Sequence, residues 1–338
     1  MNKNFNKIIL GHGSGGKLSA ELIDQLFLPA FTNEFLSPLG DQAVININGT
    51  RVAFTTDSYV VNPIFFPGGS IGDVAVNGTV NDLAVGGARP LYISAGMILE
   101  EGMPFEELER VVNDMKNACK QAGVMLVTGD TKVVEKGKGD KIFINTSGIG
   151  IIDDGIEISP RRVRAGDKLI VNGPIGEHGI AIMSIREGLE FETEIKSDTA
   201  PLNSLVQDML NAGKTIHWMR DPTRGGLSSS LNELAKASNK GIVLDESEIP
   251  VPESVKAACE ILGLDPLYVA NEGKLLAVVP AGEADGILDV MHKNPQGKGA
   301  KIIGEVVDDH HGYVLLKTSI GGKRVVDMLA GEQLPRIC

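Results

Sequence analysis

The sequence predicts a mixed α/β protein made of two domains. Its 338 residues exceed the ~100–200 residues of one typical domain, and short runs rich in Val and Ile alternate with helical patterns in both halves. Hydrophobic residues make up 42% of the chain and charged residues 22%, which is typical of a globular protein. Charged and turn-forming residues between Asp153 and Gly166 separate the halves. We therefore expect domains at 1–155 and 156–330, and a mobile C-terminal tail at 331–338.

The first half is rich in predicted strands. Apolar residues also recur at helical intervals from Phe105 to Ala122, and Gly123 provides a stop signal for that helix. The predicted strands are Ala43 to Ile47, Arg51 to Thr55, Ala95 to Leu99, Met125 to Thr128 and Ile142 to Ile152.

The second half continues the alternation of strands and helices. A long helix is expected to begin near Pro201, and a second helix at Leu227 to Ala237 follows a loop at Asp221 to Gly226. The predicted strands are Lys168 to Val171, Ile242 to Leu244, Lys274 to Val279 and Lys301 to Val306.

Charge and composition exclude several classes of protein. The net charge of -12 argues against a nucleic-acid partner, because such binding relies on Lys and Arg at phosphates. Gly, Asn or Pro interrupts the apolar stretches every few residues, which excludes a membrane span. The 3 cysteines cannot form a disulfide framework, and residues 1–7 lack the apolar core of a signal peptide. We therefore expect a cytoplasmic protein.

The glycine-rich segment Gly11 to Lys17 partly matches two phosphate-binding motifs. As a dinucleotide fingerprint it lacks a clear strand leading to Glu34, and as a Walker A loop it has Leu18 where the magnesium-binding Ser or Thr belongs. Two interpretations stay open: a flexible loop before a helix at Leu18, and a lid whose backbone NH groups cover phosphates.

Four aspartates lie near the ends of predicted elements. Asp57 and Asp130 follow strands, Asp41 precedes one, and Asp82 lies in the segment Val80 to Ala84. Each alone is typical of a turn or helix cap. Together they indicate a site for magnesium and a polyphosphate, because Mg²⁺ takes oxygen ligands and bridges to phosphate.

The loop Arg220 to Leu227 leads directly into a helix. Its NH groups and two arginines, Arg220 and Arg224, are suited to receiving an anion, although an N-capped helix start explains the pattern as well. Glu272, just before an apolar run, is a candidate base in the same cleft.

The last four residues, Pro335 to Cys338, predict either a frayed end or a mobile arm that inserts a thiol into a cleft. In the arm interpretation Pro335 restricts the chain and Ile337 is an apolar anchor. Cys119 and Cys259 lie in helical stretches, where buried packing is expected. His310 and His311 indicate a polar turn rather than a metal site.

Taken in order, these motifs resemble the HypE family of hydrogenase maturation factors. These are carbamoyl dehydratases of the superfamily that contains aminoimidazole ribonucleotide synthetase and selenophosphate synthetase. The motifs are His12-Gly13-Ser14-Gly15-Gly16, Thr55-Thr56-Asp57-Ser58, Val80 to Pro90, Gly129 to Val134, Arg220 to Gly226 and terminal Pro335-Arg336-Ile337-Cys338. The resemblance implies an aminoimidazole ribonucleotide synthetase-like fold, with an N-terminal domain that forms a β-barrel in a homodimer, a C-terminal α/β domain, and ATP between the domains.

The resemblance also implies an activity on the protein's own tail. A carbamoyltransferase loads Cys338, ATP phosphorylates the resulting thiocarboxamide, and loss of phosphate leaves a thiocyanate. The cyanide then passes to iron on scaffold and iron-carrying maturation proteins, toward a nickel-iron hydrogenase. Two rivals are an ATP-dependent small-molecule synthetase or kinase of the same superfamily, and a carrier that only docks its tail.

The resemblance implies specific site residues. The catalytic residues are Cys338, Glu272 as base, and Lys132, which polarises the thiocarboxamide. Mg²⁺ is held by Asp41, Asp57, Asp82 and Asp221. ATP is bound by Asp57, Asn81, Asp82, Gly129, Asp130, Thr131, Asp221, Arg224 and Gly225.

Overall fold

The first half of the chain folds around a five-stranded sheet. The structure is a computed structural model, and it describes residues 7–188, 194–331, 334 and 336–338. The elements of this half are α1 (Lys17–Leu22), α2 (Leu28–Phe31), β1 (Ala43–Ile47), β2 (Thr50–Tyr59), β3 (Phe65–Phe66), β4 (Gly69–Ser70), α3 (Ile71–Val85), β5 (Arg89–Glu100), α4 (Phe105–Ala122), β6 (Met125–Val134) and β7 (Ile142–Ile152). The sheet has the order β1-β2-β7-β5-β6, and only the β5–β6 pair is parallel.

The two faces of this sheet have different environments. Residues alternate between buried and less buried along β7, so Ile142 and Ile144 face a core that also contains residues of α3 and α4. The other face leaves large apolar side chains exposed in neighbouring strands, among them Phe54, Tyr92 and Ile149. One face is therefore covered by helices and the other is open.

The second half is built around a seven-stranded sheet. Its elements are β8 (Lys168–Val171), α5 (Glu177–Arg186), α6 (Asn203–Asn211), β9 (Trp218–Arg220), α7 (Gly226–Ser238), β10 (Gly241–Asp245), α8 (Glu253–Leu262), β11 (Leu276–Val279), α9 (Ala284–Lys293), β12 (Lys301–Val307), β13 (Val314–Lys317) and β14 (Lys323–Val326). The order is β14-β13-β10-β12-β8-β11-β9, with β10 and β13 parallel and the other pairs antiparallel.

The structure matches most predicted elements and corrects several. Asp57 and Asp130 lie inside β2 and β6 rather than after them, because the pairing of these strands with β7 and β5 continues past the apolar runs. Asp82 lies on α3, whose Ser70 cap accepts from the Gly72 amide, and not at a strand end. The predicted long helix near Pro201 is the nine-residue α6, and α5 was not predicted.

Some predictions are outside what the structure describes. The prediction that residues 1–7 lack a signal peptide falls mostly on residues 1–6, which lie outside the described residues. The predicted restriction of the tail by Pro335 also lies outside them. The division at residues 155 and 156, the barrel and the cytoplasmic location stay predictions. Among the described residues, no helix is long and apolar enough to cross a membrane.

Candidate active site

Three carboxylates from distant parts of the chain meet in one cluster. Asp41 precedes β1, Asp82 lies on α3, and Asp221 follows β9, yet one oxygen atom of each lies within 4.8 Å of those of the other two. Asp57 of β2 joins them in the wall of a cavity of about 210 Å³. We call this space the carboxylate cavity. It brings together the four residues that the family resemblance assigned to magnesium, whereas Asp130, which the sequence pattern grouped with Asp41, Asp57 and Asp82, lies outside it on β6.

Burial and mutual repulsion dominate the electrostatics of this cluster. Burial raises the pKa of Asp221 to about 7, with Asp41 adding to the rise and Arg220 opposing it. Burial also raises the pKa of Asp82 well above its usual value, and the charges of Asp221, Asp41 and Asp57 add to it. A hard divalent cation would relieve this repulsion, and the donor atoms are all oxygens. The residues therefore fit Mg²⁺.

Arg220 is engaged by acidic residues rather than offered to a phosphate. Its guanidinium lies 3.0 Å from Asp41 Oδ1 and 2.8 Å from Glu233 Oε2. The expectation that both arginines of this loop bind an anionic ligand is therefore corrected for Arg220. Its guanidinium instead pairs with carboxylates of the protein itself. Arg224 lines the carboxylate cavity and also the smaller cavity beside the C-terminus.

The C-terminal tail inserts beside the end of β2. The Val60 amide donates to the Cys338 carbonyl (3.1 Å), and the Asn62 amide donates to the Arg336 carbonyl (3.2 Å). Ile337 is only 2% exposed and packs in the core of the first half, and Cys338 is also buried. The tail thus occupies the inserted position that the mobile-arm interpretation expects, and the frayed-end interpretation does not describe it.

Polar contacts fix the tail on both sides. Arg336 Nε donates to the Val60 carbonyl at 2.9 Å, and its guanidinium pairs with Asp140. Arg186 donates to the Arg336 carbonyl, and His178 Nε2 lies 2.9 Å from the Ile337 carbonyl oxygen. These contacts place Cys338 in the wall of a cavity of about 60 Å³ that Arg224 and Gly225 also line.

The thiol of Cys338 meets Glu272. Burial raises the pKa of the thiol, Arg224 opposes the rise, and Glu272 adds to it through its charge and a side-chain hydrogen bond. Burial, with the charges of Asp221 and Asp57, raises the pKa of Glu272 well above its usual value. Glu272 Oε1 is buried and has no hydrogen-bond partner among the residues that the structure describes. One carboxylate oxygen is therefore available to a group attached to the sulfur.

The backbone of Glu272 is held from two sides. Its amide donates to Asp198 Oδ1 at 3.0 Å, and its carbonyl accepts from Asn81 Nδ2 at 3.2 Å. The Asn81 side chain also donates to the Ala200 carbonyl and accepts from the Leu202 amide. Asn81 therefore helps to fix the backbone of Glu272. The contact of Asn81 with ATP stays a prediction.

The predicted residues on β6 lie apart from this site. Gly129, Asp130, Thr131 and Lys132 are exposed on the edge strand of the first sheet and line neither cavity. Lys132 Nζ lies 2.5 Å from Asp130 Oδ2. Within the chain, Lys132 therefore reaches a carboxylate rather than Cys338, and the roles assigned to these four residues stay predictions.

The N-terminal glycine-rich loop packs between the two cavities. Arg224 donates to the Gly13 carbonyl at 3.1 Å, and Gly15, with φ of 72°, lies directly against Arg224. The Lys17 amide donates to Leu329, and its ammonium pairs with Asp327 at 3.1 Å. The loop is therefore packed against the second half of the chain, its Gly15 amide donates to Ser19 Oγ, and its predicted role as a lid over phosphates stays a prediction.

The remaining candidate residues from the sequence have structural roles. Several residues that contact the tail or Glu272 were not predicted from the sequence. Cys119 and Cys259 are buried in helices α4 and α8, and His311 bonds to the Asn239 carbonyl in a turn. His178, Asp198 and Arg186 contact the tail or Glu272 but lie in no recognisable motif. No periodicity in the chain gives a signal for them, because their role depends on where the tail docks.

Comparisons with known proteins agree with this geometry. The model of the AIR synthase related protein N-terminal domain matches residues 39–152, and that of the C-terminal domain matches 164–317. The carbamoyl dehydratase HypE of Cupriavidus necator is 52% identical over 100% of this chain and 97% of its own length. The similarity thus extends over the whole chain.

Solved structures match as well. A HypE–HypF complex matches with a TM-score of 0.87 and 48% identity, covering 91% of this chain and 99% of that chain. The hydrogenase maturation protein HypE in complex with ATP matches with a TM-score of 0.83 and 48% identity, covering 98% and 100%. The two-domain fold class predicted from the sequence is confirmed.

Proposed function

Because this chain belongs to the HypE family of carbamoyl dehydratases, within the AIR synthase related proteins, we propose that it uses ATP to dehydrate a carboxamide carried on its own Cys338. The single observation that carries this proposal is the contact of the buried Cys338 thiol with Glu272. Arg224 lines both the cavity that holds this thiol and the carboxylate cavity, so one residue links the substrate to the expected position of the phosphates.

The proposed reaction starts from a carbamoyl group on the Cys338 sulfur. The carboxamide oxygen attacks the γ-phosphorus of ATP, an O–P bond forms, and the bond between that phosphorus and the leaving ADP oxygen breaks. The nitrogen loses one proton to give a phosphorylated imidate. Loss of the second proton with cleavage of the C–O bond releases phosphate and leaves an S–C≡N group. The net products are thiocyanate, ADP, phosphate and one released proton.

Glu272 is the proposed base for the nitrogen protons. Its Oε1, which has no hydrogen-bond partner within the described part of the chain, is buried, and the contacts of Asp198 and Asn81 with its backbone fix its position. Burial and the charges of Asp221 and Asp57 favour the protonated form of this carboxyl, so neutralising those aspartates would lower its pKa and increase the ionised fraction that can accept a proton. The site therefore links proton abstraction to filling of the carboxylate cavity.

The carboxylate cavity is the proposed position of the metal-bound triphosphate. Asp41, Asp57, Asp82 and Asp221 would hold Mg²⁺, which neutralises charge on the transferring phosphoryl group. Arg224 lines the same space and would stabilise developing negative charge on the phosphates. The structure of a related HypE in complex with ATP supports nucleotide binding by this chain.

Two kinds of protein partner follow from the proposal. A carbamoyltransferase must load Cys338, and the structure of a relative in complex with HypF supports such a partner. Scaffold and iron-carrying maturation proteins then receive the cyanide for a nickel-iron hydrogenase. Because the inserted thiol is buried, both transfers require the tail to leave its cavity.

We also propose a homodimer. The open face of the first sheet exposes Phe54, Tyr92, Ile98 and Ile149, and the outer edge of β6 pairs with no other strand of the described residues. Covering this face with a second copy would bury the apolar side chains and remove the edge. In that arrangement the residues Gly129 to Lys132 lie at the interface, which accounts for their exposure in one chain.

The decisive experiment is intact mass spectrometry of the C-terminal peptide. The protein is incubated with the transferase, carbamoyl phosphate, ATP and Mg²⁺, and a gain of about 43 Da for the carboxamide is expected to convert to about 25 Da for the thiocyanate. Cys338→Ser is the matched control and gains neither mass. A wild-type peptide that never changes mass, with or without ATP turnover, would refute the dehydratase proposal in favour of a small-molecule enzyme or a carrier.

A further inference from the structure

The buried side chain of His178 contacts the inserted tail. Its Nε2 lies 2.9 Å from the Ile337 carbonyl oxygen, and its Nδ1 lies 2.8 Å from Ser197 Oγ. The ring is 0% exposed, and Phe66 packs edge-on against it with ring centroids 5.5 Å apart. His178 therefore has both a fixed ring plane and two fixed hydrogen-bond partners.

The partners of His178 determine which nitrogen carries its proton. A carbonyl oxygen only accepts, so Nε2 must carry the hydrogen and donate to Ile337. In the neutral ring Nδ1 then accepts, and the Ser197 hydroxyl donates to it. Burial lowers the pKa of His178 and so favours the neutral ring. Ser197 Oγ in turn accepts from the Thr199 amide at 3.1 Å. Each group in this series of hydrogen bonds therefore donates to the next, from the Thr199 amide to the Ile337 carbonyl.

The next residue after Ser197 contacts the proposed base. Asp198, only 1% exposed in its side chain, accepts from the Glu272 amide at 3.0 Å through Oδ1 and pairs with Lys274 at 3.0 Å through Oδ2. The Ser197 amide donates to the Pro67 carbonyl at 2.8 Å, which attaches this pair to the first half of the chain. Of these two adjacent residues, Ser197 is therefore connected to the tail through His178, and Asp198 contacts the proposed base directly.

We infer that His178 is a positioning residue. Its hydrogen bond to the Ile337 carbonyl, oriented by Ser197, holds the Cys338 sulfur beside the Glu272 carboxyl. Because Asp198 holds Glu272 from the same two-residue segment, the tail and the base are aligned by one support. This inference rests on the proposed function for its chemical consequence, whereas the docking of the tail is a separate property. His178 itself touches neither the reacting carbon nor ATP.

The docking is tested by alkylation of Cys338 with iodoacetamide, followed by peptide mass spectrometry. Loss of one hydrogen bond is expected to raise the Cys338 alkylation rate about 5- to 10-fold in His178→Ala, because the tail leaves its cavity more often. In His178→Gln, which keeps a donor at the Nε2 position, the rate should return to within about 3-fold of wild type. Cys119 and Cys259 are buried internal references.

The orientation of the ring is tested at Ser197. Ser197→Ala removes the donor to Nδ1, so the ring can move its hydrogen there and turn a lone pair toward the Ile337 carbonyl. We expect an increase in Cys338 alkylation similar to that of His178→Ala, and near wild-type behaviour in Ser197→Thr, which keeps the hydroxyl. The control for loss of a largely buried histidine is His217→Ala, since His217 pairs with Asp167 and lines neither cavity.

The catalytic consequence is measured by single turnover of protein already carbamoylated on Cys338. We expect the rate of conversion to thiocyanate to fall about 10-fold in His178→Ala and Ser197→Ala, with the Kd for Mg-ATP unchanged within about 2-fold and recovery in the Gln and Thr variants. Unchanged alkylation and conversion in His178→Ala, or an equal increase in alkylation in His217→Ala, would overturn the inference. If the wild type itself yields no thiocyanate, the proposed function fails, while the alkylation rates still decide whether His178 docks the tail.

Discussion

The buried thiol of Cys338 lies beside the buried carboxyl group of Glu272, which raises the pKa of the thiol through its charge and a side-chain hydrogen bond. Both groups are buried, so the contact exists only while the tail is inserted. A reactive group on the sulfur would then be excluded from bulk water and placed beside a base. The tail therefore behaves as an attached substrate, and the predictions below concern its docking, its chemistry and the neighbouring metal site.

Replacement of Glu272 by Gln should separate loading from dehydration. The amide keeps the shape of the side chain but cannot accept the nitrogen proton, so we expect conversion to thiocyanate to slow about 10²- to 10⁴-fold. Carbamoylation by the transferase should persist, and the carboxamide should accumulate in intact mass spectra. Glu248→Gln, on an exposed side chain, is the control. Normal conversion in Glu272→Gln would exclude this residue as the base.

The stability of the metal-free protein should fall as pH rises. The pKa of Asp221 is about 7 in the folded chain, whereas an unfolded aspartate titrates near ~4, so between these values the folded state binds more protons than the unfolded state. The free energy of unfolding then decreases with increasing pH. We expect Tm to drop by several degrees from pH 5 to pH 8 without metal, and MgCl₂ to restore most of it.

Asp221→Asn tests the cause of that pH dependence. Removing one carboxylate from the cluster should flatten the fall in Tm between pH 5 and pH 8 and raise the Tm of the metal-free protein at pH 8. It should also weaken Mg-ATP binding, because a metal ligand is lost. Asp154→Asn, at an exposed turn, should change neither quantity. A wild-type pH slope in Asp221→Asn would remove this cluster as the origin of the effect.

Shortening Ile337 should release the tail without unfolding the protein. Ile→Ala changes in cores cost about 2–5 kcal/mol, and here the cost is limited to undocking of a terminal segment. We expect faster hydrogen exchange at the Val60 and Asn62 amides, which donate to the tail carbonyls. Tm should change little. Ile320→Ala, at a side chain 94% exposed, is the control, and equal protection in both variants would contradict the docking.

Two glycines of the N-terminal loop give a matched test of the lid. At Gly15 the backbone is left-handed, with φ of 72°, and an added Cβ would lie 2.9 Å from Arg224 Cβ; at Gly13 it would meet nothing within 4 Å. Gly15→Ala should displace the loop from Arg224 and raise the KM for ATP about 10-fold, corresponding to ~1.4 kcal/mol. Gly13→Ala should leave KM near wild type. Equal effects of both substitutions would argue against a lid.

Local patterns were sufficient for much of the fold. The apolar runs predicted β1, β7, β8 and α4 with their observed bounds, because side-chain periodicity follows directly from strand and helix geometry. The same patterns ended the strands before Asp57 and Asp130, which in fact lie inside β2 and β6. Strand length depends on pairing with a neighbouring strand, and that pairing cannot be predicted from the local sequence alone.

The sequence alone determined the family, the fold class and the chemical types at the site: four aspartates, a glycine-rich loop and a terminal cysteine. Only the tertiary structure decided which of these groups meet. It directed Arg220 to Asp41, placed Asn81 beneath Glu272, and used His178 to hold the tail. The physical reason is that these contacts join residues far apart in the chain, and their pKa shifts arise from burial and neighbouring charges that exist only after folding.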